Sequence, residues 1–172
     1  PLFIKALSLA LNQFPIINSR ANSEFTELTY LASHNIGMAV DGKTGLLVPN
    51  IKNVQQLGLL DVAREVNRLT EAARSGVINP ADLAGSSITI SNIGVIGGTA
   101  TMPIINKPEV AIVALGKIQK LPRFDASNNV VSRNILTVSW SGDHRIIDGG
   151  TIARFNKLWK QYLEQPQTML LA

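Results

Sequence analysis

Apolar positions along the chain follow two periods. Residues 2–13 (LFIKALSLALNQ) repeat at helical spacing until Pro15 stops them. Residues 59–74 predict the clearest internal helix. Leu59, Val62, Ala63, Val66 and Leu69 share one face, Arg64, Asn67, Arg68 and Glu71 share another, and Gly76 closes it. Residues 151–164 predict a last helix on the stripe Ile152, Phe155, Trp159, Tyr162 and Leu163. Elsewhere the period shortens toward two. Residues 27–41 read as a strand with Asp41-Gly42 as its turn, and Leu46-Leu47-Val48 as a short buried strand ended by Pro49. Ser87–Ser91 reads as another strand. The nearly all-apolar run Val110–Gly116 predicts a strand buried on both faces. Residues 124–129 (FDASNN) form a turn, and 130–141 alternate into the next strand. Strands mixed with a few long helices predict a single α/β domain.

Composition narrows the class. The chain has 172 residues, 45% hydrophobic and 16% charged, which fits a folded domain with a real core and excludes a disordered one. The net charge of +4 comes from scattered Lys and Arg, so no stripe for nucleic acid or a membrane surface is expected. No apolar run approaches the roughly 20 residues of a membrane helix. The absence of cysteine excludes disulfides, thiolate metal sites and a cysteine nucleophile. The opening Pro1-Leu2-Phe3-Ile4 already lies inside an apolar pattern, so the natural chain is expected to begin earlier.

With only two histidines, candidates for a base at neutral pH are few. His144 follows a strand and precedes a helix, in the run Asp143-His144-Arg145-Ile146-Ile147-Asp148-Gly149-Gly150. The glycines let backbone approach a ligand, and the charged residues can pair with one another to fix the loop. That makes His144 the candidate general base. His34 lies in a strand pattern without clustered acids and reads as structural; two separated histidines without cysteine make no metal site. Ser91 ends a strand on which Thr89 and Ser91 face away from Ile88 and Ile90, ahead of the glycine-rich loop 92–98. Taken alone, it reads as a residue closing the strand end. The spacing of Gly94, Gly97 and Gly98 matches neither a Rossmann fingerprint nor a P-loop.

The stretch DHRIIDGG (143–150) resembles the His-x-x-x-Asp-Gly motif shared by dihydrolipoamide acyltransferases and chloramphenicol acetyltransferases. SHNIGMAVD and GKTGLLVPNIKNV (33–54), SITISNIGVIGGT (87–99), PEVAIVALGKI (108–118) and RFNKLWKQYLEQPQTMLL (154–171) extend the resemblance over essentially the whole chain. SNIG (91–94), VSWSGDHR (138–145) and the last helix look most like the branched-chain 2-oxo acid dehydrogenase member. The resemblance implies a chloramphenicol acetyltransferase-like mixed sheet with packed helices that forms trimers. Residues 1–172 would be an N-terminally truncated catalytic domain, without the lipoyl and subunit-binding domains. It further implies acyl transfer, branched-chain in preference, between a dihydrolipoyl thiol and coenzyme A. The alternatives are an acetyl- or succinyl-specific member, an antibiotic O-acetyltransferase, or a non-catalytic core scaffold.

Carried over residue by residue, His144 would be the base and Ser91 the hydroxyl donor to the oxyanion. Asp148 would organise the motif loop, through a salt bridge. Coenzyme A contacts would fall near Asp41, Ser91, Asn92, Gly116 and Ile118. The lipoyl group would arrive on a separate domain. Implied partners are further copies of this chain, in trimers within a core of 24 subunits, and the dehydrogenase/decarboxylase and dihydrolipoamide dehydrogenase components. The implied location is the mitochondrial matrix, with a bacterial cytoplasm as the alternative. His144 and Ser91 would come from different subunits, and so lie far apart within one chain.

Overall fold

The computed structural model describes residues 1–43 and 45–170. Its centre is a mixed sheet of six strands: β3 (Ile36–Gly42), β4 (Gly45–Leu47), β5 (Asn50–Ile51), β6 (Ile88–Asn92), β7 (Ala111–Leu115) and β10 (Val138–Gly142). The order across it is β10-β7-β6-β3-β4, with β5 also on β3. β3, β6 and β7 run parallel, while β4, β5 and β10 pair antiparallel. Two hairpins stand apart, β1 (Ser19–Ala21) with β2 (Leu28–Tyr30) and β8 (Gln119–Phe124) with β9 (Val130–Ile135).

Helices α1 (Leu2–Gln13), α2 (Leu59–Ser75), α3 (Pro80–Leu83) and α4 (Gly149–Glu164) complete the fold. Alternation on the strands explains why the long helices cover one face. Ile36, Met38, Ile88, Ile90, Ala111, Val113 and Leu115 join the core with Leu7, Leu11, Val62, Leu69, Phe155 and Trp159. Aromatic rings lock α1, α4 and β10 together edge to face: Trp140 meets Phe155 at 5.4 Å and Trp159 at 5.6 Å, and Phe3 meets Trp159 at 5.9 Å. Both indoles are satisfied, Trp159 Nε1 donating to Phe3 O and Trp140 Nε1 to Asn156 Oδ1. The opposite sheet face carries the other residues of the alternation, in the register Ala39, Ser91, Ala114, Ser139 across neighbouring strands.

The predicted helices and the doubly buried β7 are all present, and Gly76 ends α2 in the left-handed region at φ 78°. Several strand boundaries differ from expectation. The expected strand 27–41 is two elements, because the carbonyls of His34 and Asn35 accept from Val54 and Ser87 and divert the chain between them. Asp41 and Gly42 belong to β3, paired with Leu46 and Gly45, and are not the turn. The stretch Leu46–Val48, expected buried, is instead part of a hairpin arm at the sheet edge, with Leu46 71% exposed. The expected strand 130–141 breaks at Leu136-Thr137: β9 pairs with β8, a strand without a clear sequence signal, and β10 pairs with β7.

Candidate active site

His144 is placed by what precedes and follows it. The Asp143 amide donates to Val110 O at 2.8 Å, extending the β10–β7 ladder by one residue. The Asp143 carbonyl then accepts from the amides of Ile146 and Ile147, both at 2.9 Å, closing a tight turn. Ile147, 1% exposed, pins the turn to the core, and Asp148 starts α4. His144 stands exposed at the apex, and among the described residues its ring makes no hydrogen bond. Arg145 folds back on Asp143, Nη2 to Oδ2 at 2.6 Å and Nε to Oδ1 at 2.8 Å. Hydrogen bonding to that guanidinium holds the Asp143 carboxyl below its ordinary range.

Among the described residues Asp148 has no partner for the expected salt bridge. Its Oδ1 accepts from the Thr151 amide at 2.7 Å and its Oδ2 from the Thr151 hydroxyl at 2.9 Å, so it caps α4. Those bonds, the amide first, keep its carboxyl below the ordinary range. It organises the motif loop as an N-cap, because Thr151 lies three residues on, where a capping side chain reaches.

His144 lines a cavity of about 720 Å³ with Phe25, Ile104, Ile105, Val110 and Arg145. Ser91, at the far end of β6, lines another of about 390 Å³ with Ala39, Leu46, Thr101, Ile104 and Ile112. Among the described residues its hydroxyl has no partner. Pro103, Ile104 and Ile105 line both cavities, so the irregular segment after Thr101 divides them. β10 runs opposite to β6. His144 therefore leaves the sheet at the end where β6 begins, and strand spacings put it on the order of 15 Å from Ser91. Within one chain the two do not meet.

The remaining candidates divide as well. Asn92, Gly116 and Ile118 share a third cleft, of about 240 Å³. Gly116 has to be glycine: a Cβ there would come within 2.0 Å of Thr99 O. Asp41 is exposed on β3 and lines none of these three cavities. A residue that sequence reasoning missed is Glu109, 4% exposed beside the His144 cavity. Its Oε1 accepts from Thr89 Oγ1 at 2.9 Å and Asn106 Nδ2 at 3.1 Å, tying the dividing segment to β6, and burial pushes its carboxyl pKa up. The one available signal was an acid abutting the apolar run 110–116.

The family model for 2-oxoacid dehydrogenases acyltransferase (catalytic domain) matches residues 1–171. The lipoamide acyltransferase component of the mitochondrial branched-chain alpha-keto acid dehydrogenase complex of Mus musculus is 53% identical over 171 residues, 99% of this chain and 36% of that protein. The chain thus spans about a third of the length of such relatives. The cubic core of a pyruvate dehydrogenase multienzyme complex superposes with a TM-score of 0.94 at 40% identity, over 99% of this chain and 70% of that one. Azotobacter vinelandii dihydrolipoamide acetyltransferase gives 0.94 at 39% identity, over the same shares. That enzyme was studied for the roles of a serine, a histidine and an asparagine four positions after the histidine in its catalytic mechanism. A chloramphenicol acetyltransferase superposes at 0.59 with 15% identity, over 94% of this chain and 76% of that one, which establishes the shared fold.

Proposed function

This chain belongs to the acyltransferase catalytic-domain family of the 2-oxoacid dehydrogenases, and on that premise we propose that it transfers a branched-chain acyl group between a dihydrolipoyl thiol and coenzyme A. The observation that carries the reading is the division of the site. An imidazole and a hydroxyl, each without a partner among the described residues, open on neighbouring cavities at opposite ends of one sheet. Neither completes a site by itself. A second copy of the chain, bringing its serine cavity against the His144 cavity, supplies the missing half. A homotrimer does this three times by rotation.

In the transfer, the coenzyme A thiol is mostly protonated at neutral pH. The His144 imidazole takes that proton as sulfur attacks the thioester carbon of the acylated dihydrolipoyl group. The carbonyl oxygen becomes an oxyanion and accepts from the Ser91 hydroxyl of a neighbouring copy. The carbon–sulfur bond to the lipoyl group then breaks, and the imidazolium returns the proton to the departing sulfur. Asn92, Gly116 and Ile118 line a cleft for part of coenzyme A, with Asp41 and Ser91 as contacts on the other face of the sheet. Asp148 holds the His144 turn at the head of α4. It is a positioning residue, spaced from His144 as the asparagine is from the histidine in the Azotobacter enzyme, four positions on.

The similarity to a cubic core supports assembly of the trimers into 24 subunits at the centre of a 2-oxo acid dehydrogenase complex. Lipoyl and subunit-binding regions of the longer protein would bring in the dehydrogenase/decarboxylase and dihydrolipoamide dehydrogenase components. The mitochondrial relatives support location in the mitochondrial matrix.

Intersubunit complementation tests the reading. Acyl transfer from isobutyryl-coenzyme A to dihydrolipoamide is measured on full-length protein. His144→Ala lowers kcat by about 10²–10⁴, and Ser91→Ala by about 10²–10³. Co-expressed in equal amounts, the two variants regain about a quarter of the parent rate, because random trimers restore an intact His–Ser pair at one interface in four. Full activity in His144→Ala sinks the enzyme reading. Two inactive variants that never complement one another sink the divided site.

A further inference from the structure

The loop joining β1 to β2 takes no part in the chemistry above, yet with Ala21 at the end of β1 it walls the His144 cavity through Asn22, Ser23 and Phe25. Phe25 sits at φ 56°, in the left-handed region, where an aromatic residue is an outlier. The loop enforces that conformation with its own bonds. Asn22 Oδ1 accepts from the amides of Thr26 at 2.9 Å and Glu27 at 3.1 Å, and its Nδ2 donates to Thr26 Oγ1 at 2.8 Å. The Phe25 amide donates to Asn22 O at 3.1 Å. Glycine or asparagine would satisfy this backbone at lower cost. Strain of this kind persists where the side chain has a task.

The ring has a visible task. The Arg145 guanidinium lies over it, 3.7 Å from its centroid. The same guanidinium grips Asp143 through two bonds. Arg145 is therefore held from two elements at once, and the residues so held are the immediate neighbours of His144. The imidazole has no partner of its own among the described residues, so its position depends on the backbone from Asp143 to Arg145. An ion pair as exposed as this one, with the Arg145 side chain 61% accessible, orders a loop weakly by itself. A planar guanidinium stacked on a ring while bonded to a carboxylate has far less freedom.

We infer that Phe25 is a positioning residue for His144: by stacking Arg145 it fixes the Asp143–Arg145 brace, and with it the turn that presents the imidazole to the cavity. The inference rests on His144 being the base. Displacing a catalytic group by about 1 Å can cost up to 10²-fold in rate, so a clamp outside the chemistry has room to act.

The test measures kcat and KM for acyl transfer by full-length Phe25→Leu, Phe25→Tyr, Arg145→Met and the Phe25→Leu/Arg145→Met double variant. Phe25→Leu should lower kcat about tenfold with both KM values unchanged. Phe25→Tyr, which keeps the ring, should stay within about twofold of the parent. The double variant should be no slower than the slower single one, because both act on one brace. Parent-like kcat in Phe25→Leu overturns the inference. So does a loss that Tyr shares, a loss that multiplies in the double variant, or a change confined to KM. If Phe25→Leu fails to fold, Arg145→Met decides, since parent-like kcat there overturns the clamp equally. His144→Ala assayed alongside separates the two ideas. If it is fully active, the assignment of the base fails. If it is inactive while Phe25→Leu is not, the positioning role alone fails.

Discussion

His34 and His144 are one residue type in two opposite settings. His34 is 6% exposed, and its Nδ1 shares a 2.8 Å hydrogen bond with the fully buried Ser8 hydroxyl of α1. Its amide donates to Gln55 Oε1 and its carbonyl accepts from Val54. Lys5, donating to Val54 O and Leu57 O, closes the same corner. Burial first, and the Lys5 charge second, push the His34 pKa below its ordinary 6.5. His144 has the reverse arrangement. Its backbone is fixed on both sides while its ring is exposed and, among the described residues, unpartnered. A histidine that is buried, with Nδ1 bonded into the fold, is poorly placed to exchange protons with a substrate. A histidine held firmly by its neighbours, with its own nitrogens unspent, can take and return one.

The comparison is sharpest when both rings are removed. His34→Leu leaves the Ser8 hydroxyl buried without a partner and should cost about 2 kcal/mol, roughly 4–8 °C in Tm for a chain of this size. Acyl transfer per folded molecule should hardly change. His144→Ala should do the opposite, abolishing transfer at nearly parental Tm. Thermal melts and initial rates on the same samples decide it. A His34 variant that melts normally and turns over slowly would reverse the assignment of the two histidines. Ser8→Ala added to His34→Leu should recover part of the lost stability, because both partners of the buried bond are then gone.

How far this contrast could be read from the sequence varied with how local its causes are. The core faces of the long helices follow from the spacing of Val62, Leu69, Phe155 and Trp159, and Val110–Gly116 announced β7 by composition alone. The two histidines were separable by their neighbours, since charged residues and glycines surround only one. What the sequence left hidden depends on distant partners. The split of 130–141 arises because Leu136-Thr137 carries the chain from one sheet to another, with Thr137 O accepting from Gly116. The brace beside His144 sets Arg145 against Phe25, 120 positions before it, and no residue pattern around Phe25 predicts a ring at positive φ. Asp148 looked like a salt-bridge partner because arginines lie near it in the chain, whereas Thr151 satisfies it locally.

A smaller effect should appear in stability against pH, where two buried groups oppose one another. His34 has a lowered folded pKa, so its unfolded form binds the proton more readily. Its contribution is full above about pH 6.5 and is lost as pH falls below that value. Glu109 has a raised folded pKa, so its native form holds the proton more readily. Its contribution is full below about pH 4.5 and is lost as pH rises through the folded value. Glu109→Gln, isosteric and neutral, should therefore gain stability relative to the parent as pH rises, while His34→Leu should lose the acid-side slope. Denaturant midpoints across pH 4 to 8, at about one-unit steps, measure both. A Glu109→Gln curve parallel to the parent's would mean that the Thr89 and Asn106 bonds already satisfy an ionised carboxylate.

The smallest expected effect concerns Asp148, and it separates holding the His144 turn from moving a proton. As an N-cap, Asp148 needs only an acceptor opposite the Thr151 amide. Asparagine supplies one, and caps helices about as well as aspartate. Asp148→Asn should therefore keep its Tm within a degree or two and its kcat within a few-fold, even though the charge is gone. Asp148→Ala removes both acceptors, should lower Tm by a few degrees, and should slow transfer as the head of α4 frays beneath His144. A proton relay predicts a different ranking, with Asn as damaging to kcat as Ala because neither can carry the charge. Equal losses in the two variants would return Asp148 to the chemistry. An intact Asn variant beside a weakened Ala variant leaves it in the scaffold, on the same side of the comparison as His34.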